Sequence, residues 1–405
     1  MKLRCCCCVL MVVALGVFPL VSAGAEVKIA PYYSLQLAEG AAIPTKGDWL
    51  FAINLASDLG LIVQPSETQR FIGFYEIKYD GPGLRRQEGE KFTDRAMDHV
   101  IVLRHHYKLN EEYTLKSQID YMTEYKRTGT NEIWGSGLYD FNRYGGALTL
   151  DRKLTPAFSA AMTQQYHYME FPNYTDLLAE FQAGGESSES STGKQNHHLY
   201  QTDLTLRYRQ TKFSVNYVLM AYTKQKVIAE TVQTDKTYYS GTLQRDAVLS
   251  FSIEHDRNFW NRLLVAPQGS VRLKSSNQNY QHFAVATSSV PVRYIGSYYD
   301  YNEFSVALPC SMVLNKRWDF FLNPEWDWKM YLNRPPRDAD NTFLEGTQHN
   351  DMVIVSVGFT LKPNDITRTS FFYTYQGQSS NMKFEKYLPY NYSANFFGVS
   401  FNYTY

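Results

Sequence analysis

Residues Asn391–Tyr405 read NYSANFFGVSFNYTY. From Asn395 onward the residues alternate without a break. Phe397, Val399, Phe401, Tyr403 and Tyr405 fall on one side, and Phe396, Gly398, Ser400, Asn402 and Thr404 on the other. A period of two marks an extended strand, because successive side chains point to opposite faces. One face is wholly apolar and aromatic. The other is mostly small or polar. The sequence stops on Tyr405, with no polar residues after it.

A strand of this kind resembles the closing strand of bacterial outer-membrane β-barrels. The resemblance is to that general, porin-like class and to no narrower family. It implies an all-β transmembrane antiparallel barrel in the bacterial cell outer membrane. It also implies that Phe401, Tyr403 and Tyr405 form the signal read by the barrel-assembly machinery. The partners that follow are outer-membrane lipid, that machinery and small hydrophilic solutes.

The alternation recurs upstream. Trp318, Phe320, Leu322, Trp326 and Trp328 oppose Asp319, Asn323, Glu325, Asp327 and Lys329. Similar apolar sets are Val353–Leu361, Tyr200–Tyr208, Ala247–Ile253 and Trp49–Leu55, each taken at every second residue apart from Thr202. The spacing predicts sixteen strands, near 26–37, 48–61, 68–80, 96–107, 112–127, 138–151, 156–170, 198–210, 213–226, 241–256, 262–277, 297–312, 317–332, 346–361, 367–381 and 391–405. A soluble sandwich also alternates, but its strands centre on about 5–6 residues. A tilted membrane strand needs about 9–11, plus overhang.

Seven short connectors alternate with eight long ones. The short ones are Ile62–Thr68, Lys108–Glu112, Arg152–Pro156, Gln210–Lys212, Arg257–Asn261, Val313–Lys316 and Lys362–Ile366. They carry turn formers such as Gln-Pro-Ser and Lys-Pro-Asn-Asp. The long ones are 38–47, 81–95, 128–137, 171–197, 227–240, 278–296, 333–345 and 382–390. Short periplasmic turns, long external loops and an even strand number characterise outer-membrane barrels. Aromatic residues gather near strand ends. Tyr107, Tyr113, Phe158, Phe213, Trp260 and Trp318 lie by the short turns, and Tyr79, Tyr139, Tyr166, Tyr168, Tyr222, Tyr331 and Tyr375 lie toward the long loops. Two interfacial girdles are expected.

Residues 1–25 read as a secretory signal peptide: basic Lys2 and Arg4, an apolar run Cys5–Val21, and the small residues Ala23-Gly24-Ala25 before Glu26. Cys5–Cys8 open the apolar run instead of following it, which argues against a lipid-attachment site. Residues 26–405 form one barrel domain. Without Lys2 and Arg4 the chain keeps 38 basic against 40 acidic residues, a balance that gives nucleic acid no purchase. Cys310 is the one cysteine outside the leader, so no internal disulfide is expected. Tyr (32) and Phe (24) are abundant although mean hydropathy is −0.39. A barrel wetted on one face and greasy on the other has that combination.

No catalytic, metal or cofactor site emerges. His105 and His106 are adjacent and point to opposite faces of a strand. His99, His167, His255, His282 and His349 are scattered, and His197-His198 has no serine motif beside it. Asp338-Ala339-Asp340-Asn341 offers oxygen ligands but lacks the glycine and distal glutamate of a calcium loop. No enzyme activity is expected.

The polar strand faces are more informative. With apolar faces toward lipid, the pore-lining candidates are Arg70, Lys78, Lys116, Asp120, Arg207, Arg209, Asp246, Glu254, Arg272, Lys274, Asp319, Glu325, Asp327 and Lys329. The basic set near 207 and 272 lies several strands from the acidic set near 325. Two arrangements follow: a field across the lumen, or a network of paired charges. Sixteen strands enclose more space than side chains fill, so an aqueous channel is expected unless loops plug it. Porin-like passive diffusion is the leading function. The alternatives are a surface or adhesion barrel acting through its loops, and an outer-membrane hydrolase. The longest loop, Phe171–His197, is expected to fold inward at Tyr174–Gln182. Asp176 and Glu180 would then bring negative charge to a constriction. Monomer and trimer are both left open.

Overall fold

The computed structural model describes residues 27–45, 49–81, 95–127, 133–174, 193–230, 239–282, 293–385 and 390–405. The leader expected over 1–25 lies outside them. Sixteen strands run in chain order: β1 Lys28–Pro44, β2 Leu50–Gln64, β3 Gln69–Gly81, β4 Arg95–Lys108, β5 Tyr113–Arg127, β6 Phe141–Thr155, β7 Phe158–Glu170, β8 His197–Tyr208 and β9 Thr211–Ile228. Three interrupted strands follow: β10 (Tyr239–His255, then Arg257–Phe259), β11 (Leu263–Val265, then Gln268–Ser276) and β12 (Tyr301–Ala307, then Cys310–Val313). The wall ends with β13 Trp318–Tyr331, β14 His349–Leu361, β15 Thr367–Ser380 and β16 Tyr392–Thr404.

Every strand pairs antiparallel with its chain neighbour, and β16 pairs back onto β1 from Ser34↔Thr404 to Pro44↔Ala394. The terminal residue joins the ladder: the Tyr405 N–H donates to Tyr33 O (2.8 Å) and the Tyr33 N–H to Tyr405 O (3.1 Å). Closure matters because hydrocarbon offers a free edge no hydrogen-bond partners.

Exposed large apolar residues identify the outer face. Leu59, Ile101, Ile119, Leu148, Met162, Leu204, Phe251, Trp326, Val353, Phe359, Phe397 and Val399 all lie there. Among the described residues the inner face has no packed apolar centre to match it, and Val100 and Val102 are among its few buried apolar residues. The pairing confirms the alternation read from the sequence, including Trp326 beside Val353 and Phe371 beside Val399. Cys310, opposite Leu322, shares the outer face.

Three expectations need correction. The first long connector, 38–47, is mostly strand: β1 continues to Pro44, and only 45–49 links it to β2. Ala38, Gly40, Ala41 and Ala42 have weak intrinsic strand preference, so their alternation is invisible in sequence. Flanking strands hold them extended, with Gly40 lying between Ala52 and Gly398. Second, Arg257–Phe259 is strand, and the turn sits at 260–262. Third, Tyr222 and Tyr331, expected in the outer girdle, fall on the inner face by register, opposite His197 and Tyr301 respectively.

The interruptions share a cause. Pro267 and Pro309 lie at the breaks in β11 and β12, and Pro324 lies in β13. Proline cannot donate to a ladder. Their carbonyls still accept from the strand alongside: His255 N–H to Pro267 O (3.1 Å), Ala266 N–H to Pro309 O (2.8 Å) and Leu308 N–H to Pro324 O (2.9 Å).

Candidate functional site: the inner wall and the outer mouth

The inner wall carries its charges in tied groups. Glu303 on β12 receives Arg272 from β11 and Lys329 from β13, each at 2.7 Å. Lys329 also lies 4.3 Å from the Tyr301 ring centre. On the neighbouring strands Asp246 accepts from the Ser276 hydroxyl (2.5 Å) and from the Gln244 amide, with Lys274 at 3.9 Å. Across the barrel Asp120, its side chain only 1% exposed, takes Arg143 (3.3 Å), His167 Nε2 (3.2 Å) and the Gln118 amide (3.0 Å). Asp203 is held by the amides of Gln165, Gln201 and Asn216. Buried carboxylates are tolerable only when their lone pairs are filled in this way.

The pore-lining candidates sort accordingly. Lys116 pairs with Asp151 (2.5 Å), Lys78 with Glu76 (2.6 Å), Glu254 with Lys212 (3.3 Å) and Asp319 with Lys362 (2.6 Å). Arg70, Glu325 and Asp327 share the inner face by register. Arg207 sits at the turn end of β8. Arg209 does not line the wall: it is a turn residue at φ 53°, with its N–H on Ala157 O. The expected separation of basic and acidic strands holds for Arg207 on β8 but not for Arg272. Only β12 stands between Arg272 and Glu325, and Arg272 is neutralised by Glu303 next to it. At Arg272, Lys329, Lys116, Lys78, Glu254 and Asp319 the charges are paired with neighbours.

Asp176 and Glu180, the constriction candidates, lie outside the described residues. The feet of their loop are clamped. The Phe171 N–H donates to Asn196 Oδ1 (2.7 Å), and the Asn196 amide donates to the Tyr168 hydroxyl (3.2 Å). Asn173 reaches the carbonyls of Gly135 and Gly137, both at 3.2 Å, in the preceding connector. Lys194 donates to the Tyr239 hydroxyl at 2.9 Å.

A different loop, between β13 and β14, is tightly built, and the sequence drew notice there only to the oxygen-rich Asp338–Asn341 stretch. Residues Arg337 and Phe343 form a bridge that makes a small hairpin. Asp338 Oδ1 accepts the N–H groups of Asp340 (3.0 Å) and Thr342 (2.8 Å), while Asn341 takes φ 68°. So the oxygen-rich Asp338–Asn341 stretch shapes its own turn. The Gln348 N–H closes the base on Arg334 O (2.7 Å), and Gln348 is fully buried. The hairpin is tied to both neighbouring loops, by Leu332 N–H to Asp300 O (3.0 Å) and by Lys383 N–H to Arg337 O (2.7 Å). On the far side an unexpected ladder, Tyr280–His282 with Arg293–Ile295, stiffens the β11–β12 loop. The signal that identifies this cap is the Arg and Tyr content of three separate connectors, which only the fold brings together.

No protein-family model matches the chain, and no curated protein matches it in sequence. Among solved structures it is similar to a bacterial polysaccharide outer membrane secretin, with TM-score 0.46 and 10% identity over 92% of this chain and 97% of that one. It is similar to a loop-deleted form of OmpT, an outer membrane protein of Vibrio cholerae, with TM-score 0.44 and 10% identity over 94% and 99% of the two chains. It is also similar to the CymD monoaromatic hydrocarbon channel, with TM-score 0.40 and 12% identity over 93% and 88%. At this level of likeness none of their activities transfers to this chain. By its own architecture, with sixteen antiparallel strands closed on themselves, apolar outside and charged within, the chain is an outer-membrane β-barrel.

Proposed function

We propose that the barrel is a passive diffusion channel for small hydrophilic solutes. The observation that carries this reading is the wetness of the inner wall. Arg272, Lys116 and Lys329 project from it with side chains 50%, 41% and 28% exposed, although each is engaged in an ion pair. A barrel of about sixteen strands has room for water beyond its side chains. Paired charges of both signs offer a solute polar contacts without a strong preference for either ion. In this reading the partners are outer-membrane lipid, the assembly machinery and the solutes themselves, and the barrel performs no chemistry.

Single-channel conductance of the refolded protein in planar bilayers tests it. Discrete open levels that scale with salt are expected. A folded protein that never conducts would sink the reading. Deleting Asp176–Ser191 tests the constriction separately: inward folding gives larger conductance and weaker cation preference. A second reading, a surface barrel acting through its loops, is favoured by the tightly built cap around Arg334 and Arg337.

A further inference from the structure

The cap contains three guanidinium groups and a row of aromatic rings. The Arg334 guanidinium carbon lies 4.8 Å from the ring centres of both Tyr298 and Tyr331. Arg337 lies 5.1 Å from Tyr280 and 4.6 Å from Phe343. Arg293 covers Phe343 at 4.8 Å. Tyr280 stacks on Tyr298 at 4.5 Å, so the half-buried Arg334 and the buried Arg337 share one column, cation–ring–ring–cation. Arg337 is 8% exposed and Tyr298 4%.

None of the three arginines has a carboxylate in ion-pairing range among the described residues. Asp338 Oδ1 is occupied by its own turn, and Glu385 Oε1 by the N–H groups of Tyr390 and Asn391. Ring contacts offset only part of what burying an uncompensated charge costs. The remaining hydrogen bonds are few: Arg334 Nη2 donates to the Tyr390 hydroxyl (3.1 Å) and Arg337 Nη1 to Asn341 Oδ1 (2.9 Å). The Nε–H of both arginines is buried and has no partner among the described residues.

That distribution has a chemical direction. Aromatic rings crowd both guanidinium carbons, and the Nε–H groups beside them stay unsatisfied. An in-plane edge is the part of arginine that forms paired N–H···O bonds with a carboxylate or phosphate. We propose that the Arg334–Arg337 column is a binding site for small oxyanions at the outer mouth. Both edges are shielded from water, which strengthens a charged contact there and requires the hairpin to shift as the anion arrives. The exposed Arg293 provides the outermost positive charge on the same ring. The site lies outside the strands, and its test does not depend on conduction.

The experiment is calorimetric titration of the refolded full chain in detergent with benzoate and, separately, with inorganic phosphate, at ionic strength matched by sodium chloride. Saturable binding at millimolar concentration is expected for one or both. Benzoate alone points to carboxylate solutes, and phosphate alone to phosphate-bearing ones. The double variant Arg334→Lys, Arg337→Lys keeps the charge and loses the in-plane fork, so affinity should fall by about tenfold or more. Arg257→Lys, which alters an exposed arginine–ring contact on the opposite rim, should bind like the parent. Should the double variant not fold, the parent decides: the anions that bind must raise its unfolding temperature above the chloride control. No saturable binding of either anion, or equal binding by a folded double variant, overturns the proposal.

Discussion

The β16–β1 seam and the β10–β13 wall solve the same problem in different ways. At the seam an unbroken ladder runs from Ser34↔Thr404 to Pro44↔Ala394, and its middle is made of small residues: Ala38, Gly40, Ala41, Gly398 and Ser400. Across the β10–β13 wall, prolines break the strands, their carbonyls still accept from the strand alongside, and charged side chains cross-tie the paired ladder farther along. Arg272, Glu303 and Lys329 join three successive strands, with Lys274 and Asp246 beside them. Closure therefore depends on backbone continuity and close approach, while the rest of the wall tolerates proline breaks whose carbonyls keep accepting from the next strand.

Removing Tyr403–Tyr405 should have the largest effect. It deletes the mutual Tyr33–Tyr405 bonds and the first pairs of the seam, and the protein should accumulate unfolded. Normal heat-modifiable migration of the truncated chain would remove the distinction drawn above. Next comes Gly40→Val. A Cβ there meets Phe397 O at 2.5 Å and Gly398 Cα at 3.0 Å, both backbone, so nothing yields cheaply. A loss of about 3 kcal/mol or more in urea unfolding from vesicles is expected. A neutral result would mean that the strands at the seam can part freely.

Glu303→Gln probes the other wall. Loss of one carboxylate strands Arg272 and Lys329 together, at about 1–2 kcal/mol after allowing for their partial exposure. If the barrel conducts, its reversal potential in a salt gradient should shift toward anions. Smallest is Pro309→Ala. It restores a donor, but the adjacent break is already bridged by Leu308 N–H to Pro324 O. A change within about 0.5 kcal/mol is expected. A large destabilisation would mean that the break is a built feature that β12 requires.

These regions also differ in how readily they can be read. β16 was legible because its outer face is aromatic at every second position. The second half of β1 was not, because alanine and glycine carry no face, and only pairing on both sides makes Ala38–Pro44 a strand. β11 and β12 were legible in outline. Their breaks were not, although Pro267 and Pro309 stood in the sequence. The inner-wall residues were largely identified by alternation, but their partners belong to register, which sequence does not display. Arg209 was misplaced by two residues of overrun into a turn. The mouth cap was out of reach because Arg334, Tyr298 and Tyr390 come from three different connectors.

Cys310 lies just past the break in β12, on the outer face opposite Leu322, and its thiol contacts the Leu308 carbonyl at 3.4 Å. It is the sole cysteine among the described residues. In a chain without residues 1–25 this thiol is a built-in attachment point for a spectroscopic reporter. A nitroxide coupled there would face the acyl chains next to the proline break. Its collision rates with oxygen and with a water-soluble nickel chelate would give the immersion depth of the barrel without any engineered residue.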